Sequence, residues 1–456
     1  MSGFSGGRRG GGNGRKRAGG GDFEHVTAGQ RTHGRSVTTV WNIFCVLNNF
    51  FENNVKESAT KARSAIRLNW FAMQMFNSMM DEGSQKATLR GDGAESACPQ
   101  IVILADDLTG ACDSAAAFLG QGRRARVWLK NSGCDAACDA DVWSFSTESR
   151  NETVAAAEER VGRLSEDLRR LLPSAIFFKK VDSAGRGHFG DEIEASRVAS
   201  GSDLTICAPA FPAAGRCVLH GELQVRDASG TDMKMDLREL FPSNMQEQIA
   251  LIPVGTDVEV KNSVTEAVQS GKQVLLCDAE SAADLQRIVR VAQKLPQRPL
   301  WAGSAGLSMA LAPTLGAGRY ESAATEVRRS GRTLILCGTP HPLTQIQMDR
   351  LGNESVDSVV ARVRCGSTTD DSLRKMFRDA EPVGSLVLTG GDTAAMVLKA
   401  FEAEWIDVAG EMEPGVPWGI LRGGLADGCV VVTKSGGFGG EHVLVDALHF
   451  CRGVTA

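Results

Sequence analysis

From residue 99 to about 453 the chain alternates short runs of consecutive apolar residues with longer stretches of helical spacing. Ile101-Val-Ile-Leu104, Arg126-Val-Trp-Leu129, Asp141-Val-Trp-Ser-Phe-Ser146, Ala175-Ile-Phe-Phe178 and Leu204-Thr-Ile-Cys207 are five such runs. Val274-Leu-Leu-Cys277 and Leu300-Trp-Ala302 continue the series. A run apolar at nearly every position reads as a strand buried on both faces, as in a parallel sheet covered by helices. Between the runs lie amphipathic segments, the clearest being the charged stretch 151–172 that stops at Pro173. Strands alternating with helices at this spacing imply βαβ units. Residues 217–245 fit a hairpin-like excursion instead.

Residues 312–331, with Pro313, Gly316, Gly318 and Ser330, read as a linker. After it the pattern restarts with Thr333-Leu-Ile-Leu-Cys337, Ser385-Leu-Val-Leu388 and Val430-Val-Val-Thr433. The expected fold is therefore α/β, with two domains of mostly parallel sheet, 99–312 and 331–456, and a cleft between them.

The first 98 residues follow a different rule. Residues 1–40 are rich in Gly, Arg and Ser with almost no apolar periodicity, so disorder is expected there, as a passive tail or an RNA-binding arm. The apolar stretch from Val37 to Phe51 is broken by Asn42, Asn48 and Asn49 and is too short and polar to span a bilayer. Residues 55–80 have the composition of one amphipathic helix. No chemistry is assigned to this extension.

Composition adds bounds. With 456 residues, 42% hydrophobic and 23% charged, the chain has apolar material for two or three cores. A net charge of −5 argues against a generally basic nucleic-acid binder, and no membrane partner is expected. The twelve cysteines are scattered, Cys134 and Cys138 lacking the spacing of a zinc or redox motif, which suits reduced thiols in a cytoplasmic protein.

Chemistry collects just past the strands. Asp106 and Asp107 follow the first strand, at the carboxyl edge where open α/β sheets bind ligands. Thr109-Gly110 then opens a helix, so helix capping is an equally direct reading of these acids. Arg150, Lys179, Lys180 and Arg186 stand at or beyond strand ends, where a guanidinium fork can grip a carboxylate. Asp182 and Ser183 lie between them, and Ser304 follows the run at 300–302. The alternative for this set is a surface ion-pair network. In the second half, Gly338, Gly390-Gly391 and Gly436-Gly437 each follow an apolar strand, where glycine lets the backbone approach a polyphosphate beside a helix N-terminus. None of these loops fits the P-loop or dinucleotide patterns. His188, His220, His341 and His442 show no metal-ligand spacing and read as solvated or capping residues.

Ala105-Asp-Asp-Leu-Thr-Gly110 resembles the opening motif of the four-carbon acid sugar kinase family, the ATP-dependent kinases of threonate, erythronate and oxo-tetronate. Later motifs match in the same order over about 99–453. The resemblance implies a sugar-acid pocket lined by the motifs around Asp106-Asp107, Thr147-Glu-Ser-Arg150 and Lys179-Lys-Val-Asp-Ser183. It implies an ATP pocket lined by Gly338-Thr339, Gly390-Gly-Asp-Thr393 and Lys434-Ser-Gly-Gly437. On this reading Asp106 or Asp107 orients the attacking hydroxyl, with Asp182 as the rival. Arg150 and Arg186 hold the substrate carboxylate, helped by Lys179, Lys180, Ser183 and Ser304. Mg2+ accompanies ATP, with Asp392 as the candidate contact. The sequence does not name the oligomeric state; a homodimer is the working expectation.

Two departures stand out. Family members usually read Asp-Ser-Thr-Leu-Arg-Gly where this chain has Asp182-Ser-Ala-Gly-Arg-Gly187, and the segment from Gly338 to Gly390 is short. They motivate a competing expectation: a sugar-acid or nucleotide sensor that kept the fold and lost turnover.

Overall fold

The structure, a computed structural model, describes residues 100–119, 122–130, 139–226, 232–318, 331–352 and 358–453. The expectations for the amino-terminal extension lie outside the described residues, which all belong to one compact unit.

The amino-terminal part supplies β1 (Ile101–Ala105), β2 (Ala125–Trp128), β3 (Val142–Ser146), β4 (Ile176–Lys180) and β5 (Leu204–Ala208). The expected excursion is a separate antiparallel sheet of β6 (Arg216–Leu219), β7 (Glu222–Arg226) and β8 (Asp232–Asp236). The main sheet resumes with β9 (Ile249–Ile252), β10 (Val274–Cys277) and β11 (Pro299–Gly303). The second part contains β12 (Arg332–Cys337), β13 (Ser358–Arg362), β14 (Val383–Thr389), β15 (Trp405–Glu411), β16 (Pro417–Arg422) and β17 (Val430–Lys434).

Helices connect the parallel strands. They are α1 (Leu108–Ala116), α2 (Val154–Leu171), α3 (Phe189–Ala199), α4 (Asp257–Gln269), α5 (Ala282–Ala292) and α6 (Ala305–Leu311) in the first part. The second part has α7 (Pro342–Leu351), α8 (Asp370–Asp379), α9 (Gly391–Ala400) and α10 (Val443–Arg452). Threonine and serine caps fix several starts; Thr256 and Ser281, for example, form reciprocal capping boxes with Glu259 and Asp284. No helix among the described residues is long and apolar enough to cross a membrane.

The two expected sheets are one. The order is β13-β12-β14-β17-β16-β15-β2-β3-β1-β4-β11-β5-β10-β9, parallel within each half. Three antiparallel pairings, β17 with β16, β16 with β15 and β15 with β2, join the halves. The two parallel runs therefore point in opposite senses, and their carboxyl ends converge on one cleft. A Cβ placed on Gly391, just after β14, would lie 2.6 Å from Oδ2 of Asp107, just after β1.

Aromatic packing marks the seam. Trp128 of β2 lies with its ring centroid 5.7 Å from that of Trp405 of β15, and the Arg126 guanidinium covers the Trp405 ring at 4.7 Å. Contacts of this kind add about 0.5–1.5 kcal/mol beyond the area they bury. β15 and β16 were not foreseen as strands. β15 alternates buried and half-buried positions, and Pro417 and Gly419 interrupt the apolar run of β16, unlike the wholly buried, unbroken central strands.

Candidate active site

β1 is apolar and buried at every residue, so its polar successors emerge at the sheet edge. Asp107 caps α1, its Oδ1 accepting from the Gly110 amide at 2.9 Å. Its other oxygen accepts from the Thr109 hydroxyl at 2.7 Å and from Arg150 Nη1 at 2.8 Å. Capping and site membership thus coincide in one side chain. Asp106 is gripped bidentately by Arg150, Nε at 2.6 Å and Nη2 at 2.9 Å. Arg150 is itself fixed by the turn after β3, where the Ser149 and Arg150 amides donate to the Asp106 carbonyl. Burial works against the Arg150 charge, but the Asp107 and Asp106 carboxylates outweigh it and hold the guanidinium protonated.

At the end of β4, consecutive lysines point to opposite faces. Lys179 is wholly buried, its ammonium 2.7 Å from Glu192 of α3 and donating to the Lys180 carbonyl at 2.9 Å. Neither cavity described below includes it, so its expected contact with substrate is absent from this arrangement. The Lys180 ammonium makes no hydrogen bond or ion pair among the described residues, and the residue lines a small compartment.

The loop after β4 is built around Asp182. Its Oδ2 accepts from the Ala184 and Arg186 amides, and Arg186 grips both oxygens at 2.7 and 2.8 Å. Burial alone would raise this carboxyl, but the Arg186 hydrogen bonds and the Arg150 charge hold it well below the usual carboxylate range. Ala184 and Gly185, the departure noted above, line neither cavity. A Cβ on Gly185, whose φ is +75°, would meet Met235 of β8 at 2.9 Å, so this position faces the small sheet.

In the other half, loops after β12, β14 and β17 enclose a cleft of about 770 Å³. Gly338, Thr339, Gly390, Gly391, Asp392 and Thr393 line it, as do Ser435 and Gly436, the latter adjoining Thr339. Gly390, at φ +101°, turns β14 into α9, and a Cβ on Gly338 would sit 2.1 Å from Thr393 Oγ1. Lys434 and Gly437 do not reach the cleft. The Lys434 ammonium is buried behind it, directed at the Thr344 hydroxyl and the Gly436 carbonyl at 3.3 and 3.4 Å, and burial lowers its pKa to about 8.

A second, smaller compartment of about 20 Å³ adjoins this cleft. Lys180, Asp182, Ser183 and Ser304 face it, and it is roofed by Phe211 and Phe438, whose ring centroids are 6.1 Å apart. Asp107, Arg150 and Ser435 line both spaces.

Residues 101–311 match the domain described as "Sugar-binding N-terminal domain", and residues 315–444 match "Nucleotide-binding C-terminal domain". The D-threonate kinase of Bordetella bronchiseptica is 30% identical over 401 residues, covering 78% of this chain and 98% of that one. The chain belongs to the four-carbon acid sugar kinase family. The 3-oxo-tetronate kinase of Pseudomonas fluorescens is 28% identical, over 77% of this chain and 96% of its own. A Haemophilus influenzae crystal structure shares the fold at a TM-score of 0.57 and 20% identity, covering 77% of this chain and 99% of that one.

The residues of this family member fit a polyphosphate. Gly338, Gly390 and Gly436 bring backbone to the cleft wall, where a Cβ would press on Thr393 or Thr339. Among the described residues no three His, Cys, Asp or Glu are placed to hold a metal. That pattern suits an ion carried mainly by phosphate oxygens with one or two carboxylates, and Asp392 is in the cleft to provide one. His341 caps α7 through Nδ1, 3.2 Å from the Leu343 amide, as a capping histidine should.

The sequence reading missed several lining residues. Arg362 and Arg364 reach the cleft from the end of β13, a strand whose Val359-Val-Ala361 run was the available signal. Asn151, one residue past Arg150, donates to both oxygens of Asp392 at 3.3 Å and bridges the halves. Phe211, Phe438 and Asp113 carried no signal separable from core packing. Glu148, at φ +47°, bonds to the Ser146 hydroxyl; burial and then the Asp107, Asp392 and Asp106 charges push its pKa up to about 7.

Proposed function

We propose that the protein transfers the γ-phosphoryl group of ATP to a hydroxyl of a four-carbon acid sugar of the threonate, erythronate or oxo-tetronate class, with Mg2+. The observation that carries this reading is the shared wall: Asp107, Arg150 and Ser435 line both the glycine cleft and the small compartment. Phosphoryl transfer requires the acceptor oxygen and the terminal phosphate to meet in line, with positive charge between them. A junction between a phosphate-sized cleft and a polar compartment supports that requirement.

Within this reading Asp107 orients the attacking hydroxyl. Asp182 is a weak proton acceptor because its charge is already so well satisfied. Asp106 is held by Arg150 through both oxygens and lines neither cavity, whereas Asp107 lines both. Arg150 has its fork committed to carboxylates, so the carboxylate clamp first assigned to it passes to Lys180. Arg150 lines both spaces, so its positive charge stands beside the junction, where phosphoryl charge develops. Arg186 remains bound to Asp182, at the edge of the larger cleft. The compartment has room for about one water, so a four-carbon acid must extend from it into the adjoining cleft or widen it.

A coupled ADP-release assay over a panel of four-carbon acids tests the proposal. Turnover of at least one threonate, erythronate or oxo-tetronate is expected. Binding of both ligands without turnover would replace the kinase with the sensor reading.

A further inference from the structure

Asp113 belongs to none of the motifs that suggested the site, and its position in α1 is unusual. It is 7% exposed, yet its Oδ1 is completely buried without a hydrogen-bond partner. The side chain lines the small compartment together with Lys180, Ser183 and Ser304. Most buried carboxyl oxygens are satisfied, because stranding one costs stability in either protonation state. A helix whose other residues are mostly apolar or small would pack better with an apolar residue here. The side chain that carries this oxygen lines the compartment, where a ligand can arrive and leave.

We propose that Asp113 is a specificity-determining residue that reads one hydroxyl of the acid sugar. This rests on the kinase reading above and deepens it. Lys180, unpaired and on the same wall, takes the substrate carboxylate. Asp113 takes a hydroxyl from the carbon chain and gains the partner it lacks in the empty compartment. Burial, only partly offset by the Lys180 charge, pushes its pKa up to about 7, so the group can donate when neutral or accept when ionised. A hydroxyl serves either form. An acid lacking that hydroxyl would leave Asp113 buried and unpaired, and sites built to bond a hydroxyl discriminate strongly against analogues without it.

The experiment compares wild type with Asp113→Asn and Asp113→Ala on the best four-carbon acid and on its 2-, 3- and 4-deoxy analogues. For Asp113→Ala, KM for the full acid should rise about a hundredfold, with KM for ATP within about twofold. One deoxy analogue should then be handled as well by Asp113→Ala as by wild type, because the hydroxyl that Asp113 reads is already gone. The near-isosteric Asp113→Asn should fall between, and melting curves of both variants check that they fold. Equal losses on the full acid and on all three analogues would mean a structural role and overturn the proposal; so would no loss at all. If wild type turns over none of the acids, the kinase reading fails separately. Calorimetric binding of the same acids then decides Asp113: weaker binding by Asp113→Ala supports it, and equal or absent binding overturns it.

Discussion

The two halves of the site present opposite kinds of wall. In the amino-terminal half, charged side chains hold one another: Arg150 spans Asp106 and Asp107 and approaches Asp182, which in turn is folded onto Arg186. In the carboxyl-terminal half the wall is backbone, made open by glycines that leave no room for a Cβ. A side-chain network can be retuned residue by residue. A backbone cradle tolerates no added atom but is indifferent to charge. Substitutions in the two halves should therefore fail in different ways.

The largest separation comes from Asp107→Asn. Turnover should fall about a hundred- to ten-thousand-fold, the usual contribution of a positioned acid-base group, while ATP binding changes little. The amide retains an oxygen that can cap α1, so loss of the helix is not the cause. Steady-state kinetics with ATP affinity measured by calorimetry check this. Normal turnover would move the chemistry away from the β1 end.

The converse variant is Gly338→Ala. The added methyl would collide with the Thr393 hydroxyl at 2.1 Å and approach the Val363 carbonyl at 2.9 Å. Displacing a phosphate wall by about 1 Å can cost about a hundredfold, so kcat/KM for ATP should fall by that order while acid-sugar binding persists. Equal loss of both ligands would erase the division between the halves.

This division was legible in the sequence only where a single strand end announced it. Asp106-Asp107 and the three glycine loops follow runs that are apolar at nearly every position, so the strand, its end and the emerging chemistry were read together. The seam strands β15 and β16 were not, because β15 mixes polar and apolar residues and β16 is interrupted by Pro417 and Gly419. Face assignment also failed at Lys179-Lys180, since adjacency hides which lysine turns toward Glu192 and which toward the compartment. Arg150 lines both spaces, but its carboxylate partners were not foreseen: a fork free to grip substrate and one already filled by carboxylates look identical in sequence.

That lysine pair sharpens the comparison at smaller amplitude. Lys180→Gln removes a charge-assisted contact of about 1.5–3 kcal/mol and should raise KM for the acid about ten- to hundredfold with kcat for ATP-saturated enzyme less affected. Lys179→Met should leave KM alone and instead strand Glu192, whose Oε1 already lacks a partner, costing about 3–5 kcal/mol of stability. Denaturant unfolding beside acid-sugar kinetics distinguishes them. If Lys179→Met raised KM and spared stability, the two side chains would have exchanged roles.

The smallest expected effect concerns the loop that prompted doubt about catalysis. Ala184 stands where relatives of this family usually carry threonine, and the half-buried side chain packs against the core without lining either cavity. Its amide donates to Asp182 Oδ2, a backbone contact that any side chain leaves intact. Ala184→Thr should therefore change KM and kcat for each acid by about twofold or less, the range of substitutions away from special features. Gly185 is a poorer probe, because its φ of +75° would strain any replacement and confuse specificity with folding. A switch of preferred acid in Ala184→Thr would show that the loop reaches substrate through motion of the β4 end. The side-chain half of the site would then extend farther than its static walls.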